Sequence, residues 1–432
     1  MTSSRDISVA VGPVDCTVAV PGSKSIANRA LVCAALAGGG TEIANVPDGD
    51  DSVAMIRSLR DLGVDIAEPD IGTFRFMAGL DLESARPVRV DAGLAGTTSR
   101  FLTALCALRS GPTVVDGGEA LKRRPMADLH DALAALGGHV NSFGQPGHLP
   151  VEVSRGGIRG GDIEIPGSVS SQFTTALLLI APYLRGGLRL VVSGDRVSNS
   201  YIEMTVAVMR DFGAVVDFVE SDRGLRVVVS EGSYQSRYYA VEPDASSASY
   251  PLAMAAVGGG AVTIEGLGSG SLQGDTAFAE VLDRMGCGVT VGLDSVTVRR
   301  NLADALKGID INMVDMSDLV PTLAVVALFA GESTRIRGVG FIRRKESDRL
   351  GDLAAELRKC GASIVEVDDG LIIEPAALHG AHLGTHDDHR LAMAFAVLAG
   401  RVTGISIDDP DVVSKSWPGF WAARRQIAES GR

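Results

Sequence analysis

The sequence predicts an α/β protein built from six copies of one β-α-β-α-β-β unit, and three regularities predict it. A helical segment that ends in Gly and runs into an apolar strand recurs as SLRDLGVDI, ALAALGGHV, VMRDFGAVV, VLDRMGCGV and ELRKCGASI. Its glycines, Gly63, Gly137, Gly213, Gly286 and Gly361, are 74, 76, 73 and 75 residues apart. A second helix type alternates with the first and ends at Gly39, Gly111, Gly186, Gly259, Gly331 and Gly400, at intervals of 72, 75, 73, 72 and 69. Between the helices lie short β-rich pieces such as TEIANV, GLRLVVSG, AVTIEGL, SVTVRR and GLIIEP, several of them bounded by Gly.

The two helix types differ in expected burial. SLRDLG and ELRKCG carry charge on one face and are surface helices, whereas TTALLLIAPYL and PTLAVVALFA are apolar nearly all round and form the cores. Gly after each helix is the expected stop, because Gly enters the left-handed conformation without strain.

The starts of the second helix type carry polar or charged residues, including Ser25, Thr97, Ser170, Ser246, Asp318 and Asp388. For any one helix an ordinary N-cap explains them. That reading does not explain Lys24, Arg29, Arg100 and Arg390 at the same starts, since a cation there opposes the helix dipole unless an anion compensates it. Parallel helices of this kind would present their N–H groups on one anion-binding surface.

Composition sets the outer limits. The 432 residues give a length prior near three domains at about 150 residues each, with two equally admissible. Forty Lys and Arg against 53 Asp and Glu leave −13, spread along the chain, which excludes a broad nucleic-acid surface. Apolar residues are 46% of the chain, aromatics only 5%, and 52 are Gly, a mixture suited to many short elements. Met1 to Ile7 lacks a signal-peptide pattern and no apolar run approaches the roughly 20 residues of a membrane helix, so a soluble cytoplasmic protein is expected. Five dispersed cysteines without a CxxC pair argue against a disulfide scaffold and a cysteine-rich zinc site.

The motifs GSKSIANR (22–29), AGTTSRF (95–101), KRRP (122–125), SSQF (170–173), DASSASY (244–250), RRKESDRL (343–350) and DDHRLAM (387–393) together resemble the enolpyruvyl transferases. The resemblance runs from about Pro21 to Trp421, most closely to members whose acceptor is shikimate 3-phosphate. It implies a two-domain inside-out α/β barrel with three units per domain, helices buried and sheets outside. The domains would be 21–242 and a discontinuous 1–20 plus 243–432, with the active site in the cleft between them. The implied reaction moves the enolpyruvyl group of phosphoenolpyruvate to the 5-hydroxyl of the acceptor and releases phosphate.

By the same resemblance, phosphoenolpyruvate faces Lys24, Arg124, Gln172, Arg349, Arg390 and Lys415, with close approach at the Gly96 backbone N–H. Ser25 and Arg29 hold the shikimate carboxylate, Ser170, Ser171, Gln172, Ser198 and Tyr201 its phosphate side, and Lys24, Asp318 and Lys345 also touch this substrate. Asp318 is the implied proton acceptor, Glu346 the proton donor at C3, and Lys24 the stabiliser of the leaving phosphate. The residue types suit this chemistry. Two substrates that each carry a carboxylate and a phosphate need fixed cations to cancel their repulsion, and two tuned carboxylates can move the protons. Without the resemblance, Asp318 reads as a helix cap and Glu346 as part of a solvated charge cluster.

His379, His382, His386 and His389 with Asp387 and Asp388 look superficially like metal ligands, but no other region offers a matching set, and the resemblance implies neither metal nor cofactor. Asp388 and His389 instead orient Arg390 and cap its helix. Phe101 stands where many members have Pro, and Phe341 where several have Asn. Rival readings are a relative acting on UDP-N-acetylglucosamine or on a specialised alcohol, an RNA 3′-phosphate cyclase, and a non-catalytic anion binder. Glu119 in GGEALKRRP, where the amino-sugar enzymes carry Cys, favours shikimate 3-phosphate. The expected partners are small-molecule substrates, without nucleic acid or membrane, and the expected state is a monomer.

Overall fold

The computed structural model describes residues 4–6, 12–167, 170–194, 197–221 and 224–431. Of the stretch Met1–Ile7, only the strand Ser4–Asp6 falls within them. The chain divides into two compact units, Gly22–Val241 and a discontinuous one of Met1–Pro21 with Glu242–Arg432.

Within Gly22–Val241 three sheets share one topology. Val88–Asp91 pairs in parallel with Thr113–Asp116, which pairs antiparallel with Val151–Ser154, and that strand forms a hairpin with His139–Ser142. Gly161–Pro166, Leu188–Ser193, Gly224–Val229 and Val216–Ser221 repeat the pattern. So do Tyr238–Ala240, Thr41–Ala44, Thr73–Ala78 and Asp65–Asp70. The parallel pair needs a crossover, which the apolar helix supplies, and the antiparallel pair needs only a turn.

The other unit contains two more such sheets. One runs Val14–Val18, Gly260–Glu265, Ser295–Arg300, Gly288–Val291, and the other Asp310–Asn312, Thr334–Arg337, Gly370–Glu374, Ser363–Val367. The sixth sheet is shorter among the described residues. His382–Leu383 pairs in parallel with Ser406–Asp408, and the antiparallel neighbour is Ser4–Asp6 from the start of the chain. The repeat is therefore five full units and one abbreviated unit. Two strands have also changed places: Val14–Val18 precedes the helix Lys24–Leu36 yet pairs with the strand that follows Ala245–Gly258, while Tyr238–Ala240 does the reverse.

The apolar helices form the cores. Lys24–Leu36, Gly96–Cys106 and Ser171–Ile180 are buried along almost their whole lengths in one unit, as are Ala245–Gly258, Val320–Ala327 and His389–Leu398 in the other. Helices of the charged type are buried on one side only, as in Gly351–Arg358, where Leu353, Ala354, Glu356 and Leu357 face inward. Strands such as Leu188–Ser193 alternate between buried and partly exposed residues, so one sheet face covers the helices and the other meets solvent.

Gly63, Gly137, Gly213, Gly286 and Gly361 all have positive φ, as the stop signal requires. The second helix type departs from that expectation. Only Gly186 and Gly259 of its terminal glycines have positive φ, and Gly39 serves close approach instead, since a Cβ there would lie 2.5 Å from the Met77 carbonyl oxygen. At Gly63 the opposite holds: φ is +94° and a Cβ would meet nothing within 4 Å. Gly63→Ala should therefore cost roughly 1–2 kcal/mol through backbone strain alone. Urea unfolding of the variant should show a lower midpoint with an unchanged slope, and an unshifted midpoint would refute the assignment.

Candidate active site

In the discontinuous unit a single guanidinium organises the charged residues. Arg349, 1% exposed, donates from Nε to Asp388 Oδ2 at 2.7 Å, from Nη1 to Asp318 Oδ1 at 2.8 Å and from Nη2 to Glu346 Oε2 at 2.8 Å. Arg390 Nη2 donates to the other oxygen of Asp318 at 2.7 Å, and Lys415 Nζ to Glu346 Oε1 at 3.3 Å. Asp388 is wholly buried, accepts from the Arg390 backbone N–H at 2.9 Å, and so caps the helix His389–Leu398 while anchoring Arg349.

Two successive repeats supply these groups. Asp318 sits in the 3-10 turn Ser317–Leu319 that leads into the buried helix Val320–Ala327. Lys345, Glu346 and Arg349 follow the turn Gly340–Arg344, and Asp388 and Arg390 open the next buried helix. Lys345 Nζ lies 5.8 Å from the centroid of the Phe341 ring, so the aromatic at this position faces a cation.

The electrostatics follow from this packing. Burial alone would raise the Asp318 carboxyl, but Arg390, Arg349 and Lys345 outweigh it and hold the group well below the usual carboxylate range. Burial likewise works against the Arg349 charge, and Asp388, Glu346 and Asp318 more than offset it, so this guanidinium stays charged. Tyr250, one turn into the helix Ala245–Gly258, has its hydroxyl pushed up to about 12 by burial.

The unit Gly22–Val241 gathers cations by other means. Lys24, the first residue of its helix, pairs with the buried Asp51 at 3.0 Å. Arg29 is buried, and its Nε donates to Thr205 Oγ1 at 2.8 Å, its Nη1 to the Ser25 carbonyl at 2.6 Å, and its Nη2 to Thr175 Oγ1 and the Tyr201 carbonyl at 3.3 and 3.2 Å. Phe101 stacks near it, with the ring centroid 5.5 Å from the guanidinium carbon. Among the described residues no carboxylate pairs with Arg29, and desolvation lowers its pKa to about 10.

Gly96 begins the helix Gly96–Cys106, and a Cβ there would lie 2.5 Å from Arg124 Nη1 and 2.6 Å from Arg100 Nη1. Only Gly lets both guanidinium groups reach this helix start. Gln172 Nε2 donates to Thr97 Oγ1 at 3.3 Å, joining the starts of two buried helices, and Ser170 caps its own helix through the Gln172 N–H. Ser171 is the first residue of that helix, and Ser198, at φ 59°, precedes the helix Asn199–Asp211 on which Tyr201 lies. A non-glycine residue held in the left-handed region marks a position the surroundings over-determine.

Some sequence expectations change. Ser25, Thr97 and Ser246 are not the capping residues: the helices beginning at Lys24 and Gly96 have no side-chain cap, and Asp244 rather than Ser246 caps Ala245–Gly258. The histidines of the GTHDDHRLAM region are dispersed, with His382 Nδ1 at 2.9 Å from Ser406 Oγ, His386 Nε2 at 2.9 Å from Glu356 Oε1, and His389 buried. Among the described residues no group of three or more His, Cys, Asp or Glu is placed to hold a metal. Asp51 and Asp275 were missed as neighbours of charged site residues, and neither carries a local sequence signal, because each is defined by a partner at least 27 residues away.

Two sets of three repeated α/β units, with cations at buried helix starts and a carboxylate–guanidinium web, define a protein of the enolpyruvyl transferase class. The family model for EPSP synthase (3-phosphoshikimate 1-carboxyvinyltransferase) matches residues 9–423. The chain is 44% identical to the 3-phosphoshikimate 1-carboxyvinyltransferase of Methanoculleus marisnigri, over 95% of this chain and 96% of that protein, and 39% identical to that of Shewanella loihica, over 97% and 98%. The EPSP synthase structure from Acinetobacter baumannii superposes with a TM-score of 0.82 at 25% identity, covering 99% of this chain and 98% of that one. The chain belongs to the EPSP synthase family.

Arg349→Gln should destabilise the discontinuous unit by about 3–5 kcal/mol, the cost of leaving buried carboxylates short of their cation. The pH dependence has a definite sign. Because the Asp318 carboxyl is depressed, the stability it contributes is complete above its unfolded pKa of about 4 and is lost as pH falls below that value. In acid unfolding, the gap between the native protein and Asp318→Asn should close below about pH 4; a gap that persists undiminished at lower pH would contradict it.

Proposed function

We propose that the protein transfers the enolpyruvyl group of phosphoenolpyruvate to the 5-hydroxyl of shikimate 3-phosphate, as a transferase of the shikimate route to chorismate and aromatic amino acids. The observation that carries this reading is the convergence of Asp318 and Glu346 on one buried guanidinium beside Arg390 and Lys415. Two carboxylates held at fixed positions among cations are what an addition and elimination between two polyanions requires.

Arg349, Arg390 and Lys415, with Lys24, Gly96, Arg124 and Gln172, serve phosphoenolpyruvate. Ser25, Arg29, Ser170, Ser171, Gln172, Ser198 and Tyr201 serve shikimate 3-phosphate, with Lys24, Asp318 and Lys345.

In the addition step the acceptor oxygen bonds to C2 of phosphoenolpyruvate, its proton passes to Asp318, and C3 receives a proton from Glu346. In the elimination step C3 returns a proton to Glu346, the C2–O bond to phosphate breaks, and the proton held by Asp318 is passed on to the phosphate, which departs as the hydrogen phosphate dianion stabilised by Lys24. While Arg390 and Arg349 keep their bonds to it, the Asp318 carboxyl is held well below the usual carboxylate range and takes up a proton poorly. Anionic substrates that draw Arg390 and Arg349 toward themselves relieve that depression, so substrate binding itself readies the base.

An alternative acceptor is another cyclic alcohol or UDP-N-acetylglucosamine, and Phe341 beside Lys345 is the feature that would serve a changed acceptor. The reading includes a monomer working in the cytoplasm on small molecules alone, and no helix among the described residues is long and apolar enough to cross a membrane. Incubation with phosphoenolpyruvate and shikimate 3-phosphate should release inorganic phosphate; release only with UDP-N-acetylglucosamine would overturn the assignment. Glu346→Gln should lower kcat by about 10²–10⁴-fold with KM little changed, and a loss confined to KM would remove its role in proton transfer.

A further inference from the structure

The segment Thr385–Asp388 carries a conflict between residue type and backbone. The Asp388 N–H donates to the Thr385 carbonyl at 2.9 Å and closes a tight turn whose central residues, His386 and Asp387, have φ of 52° and 57°. Turns with positive φ at both central residues are dominated by Gly, Asn and Asp, and a histidine persists there only when its surroundings hold it. The turn ends on Asp388, which anchors Arg349 and caps the helix that opens with His389 and Arg390.

The hold comes from the helix Gly351–Arg358. Glu356 on this helix is 4% exposed, and its two oxygens reach both the approach to the turn and the turn itself. Oε2 accepts from the Gly384 N–H at 2.8 Å, and Oε1 lies 2.9 Å from His386 Nε2. Lys359 Nζ, on the solvent side, donates to Oε2 at 2.6 Å. Burial would raise the Glu356 carboxyl, but Lys359, the Gly384 N–H and the His386 ring outweigh it and hold the group below its ordinary value. An ionised carboxylate only accepts, so the His386 ring nitrogen is the donor. Asp352, one turn earlier on the helix, is 3.7 Å from the other ring nitrogen, beyond hydrogen-bond range.

The segment Arg349–Arg358 and the turn are therefore braced twice, with the charges in opposite order. Arg349, ahead of the helix, meets Asp388 at the end of the turn at 2.7 Å, with the Ser347 hydroxyl donating to the same Asp388 oxygen at 3.2 Å. Glu356, near the far end of the helix, meets Gly384 and His386 at the start of the turn. Without this second brace the turn would shed its strain by moving, and Asp388, with Arg349 and the start of the Arg390 helix attached, would move with it.

We propose that Glu356 is a positioning residue: by gripping Gly384 and His386 it keeps the Thr385–Asp388 turn in its strained form, and so sets Asp388, Arg349 and Arg390 for the anionic enolpyruvyl donor. The inference rests on the assignment of Arg349 and Arg390 to phosphoenolpyruvate.

The test is kcat and KM for each substrate in the native enzyme, Glu356→Ala, Glu356→Gln and Lys359→Ala. Glu356→Ala should raise KM for phosphoenolpyruvate roughly tenfold and move that for shikimate 3-phosphate by less than about twofold, because the misplaced cations serve the first substrate. Glu356→Gln keeps an acceptor for the Gly384 N–H and a polar group beside the ring, and should recover most of the loss. Lys359→Ala removes only the solvent-side partner and should match the native enzyme. If Glu356→Ala does not fold, His386→Ala and His386→Asn decide: both lose the ring, but Asn is at ease at positive φ, so the alanine variant should show the larger rise in KM for phosphoenolpyruvate. Equal rises in both KM values, a fall in kcat with both KM values unchanged, no recovery in Glu356→Gln, or His386→Asn impaired as much as His386→Ala would each overturn the proposal while leaving the underlying assignment in place. Arg390→Lys tests that assignment separately: an unchanged KM for phosphoenolpyruvate there would remove it and the proposal with it.

Discussion

The buried guanidinium of Arg349 is the constraint on which the discontinuous unit's chemistry depends. An ionised carboxylate taken out of water is tolerable only when paired and hydrogen-bonded. Here three carboxylates are brought inward at once, and one planar cation with donors in a fixed fork meets all three. A lysine could place a charge at the same point but could not fix three partners in one plane. Because Asp388 also caps the helix that begins with His389 and Arg390, the position of Arg390 is tied to that of Arg349 through a single side chain. Fold and site are joined there.

The unit Gly22–Val241 holds Arg29 by other means. Arg29 is held by hydroxyls and carbonyls, with aromatic rings alongside, so its charge is positioned but not neutralised. Arg100 and Arg124 converge on Gly96 at a helix start, where the dipole opposes cations.

How far the sequence could be read depended on whether a feature is local. Glycine spacing exposed the six-unit α/β repeat because each unit punctuates itself, and the helix Ser171–Ile180 declared its burial through composition alone. The abbreviated sixth sheet was not legible, since its antiparallel strand, Ser4–Asp6, comes from the opposite end of the chain. Gly39 was misread as a conformational stop because sequence does not reveal that the Met77 carbonyl passes close by. At the site, the resemblance named Asp318, Glu346, Arg349 and Arg390, but not that they form one ion-pair web, because distant segments of two successive repeats contribute them. Asp51 and Asp275 stayed invisible for the same reason: an acidic residue in DGDDS or LQGDT looks like any turn until its partner is placed beside it.

The depressed Asp318 carboxyl has a consequence for how such a site works as a catalyst. A carboxylate already held by two guanidinium groups gains little from taking a proton. The same cations that quench Asp318 are the ones an incoming carboxylate or phosphate would claim. Each bond transferred from Asp318 to substrate raises the proton affinity of Asp318 while lowering the charge repulsion between the two substrates. In the proposed reaction, basicity and substrate neutralisation would thus be drawn from one set of N–H groups.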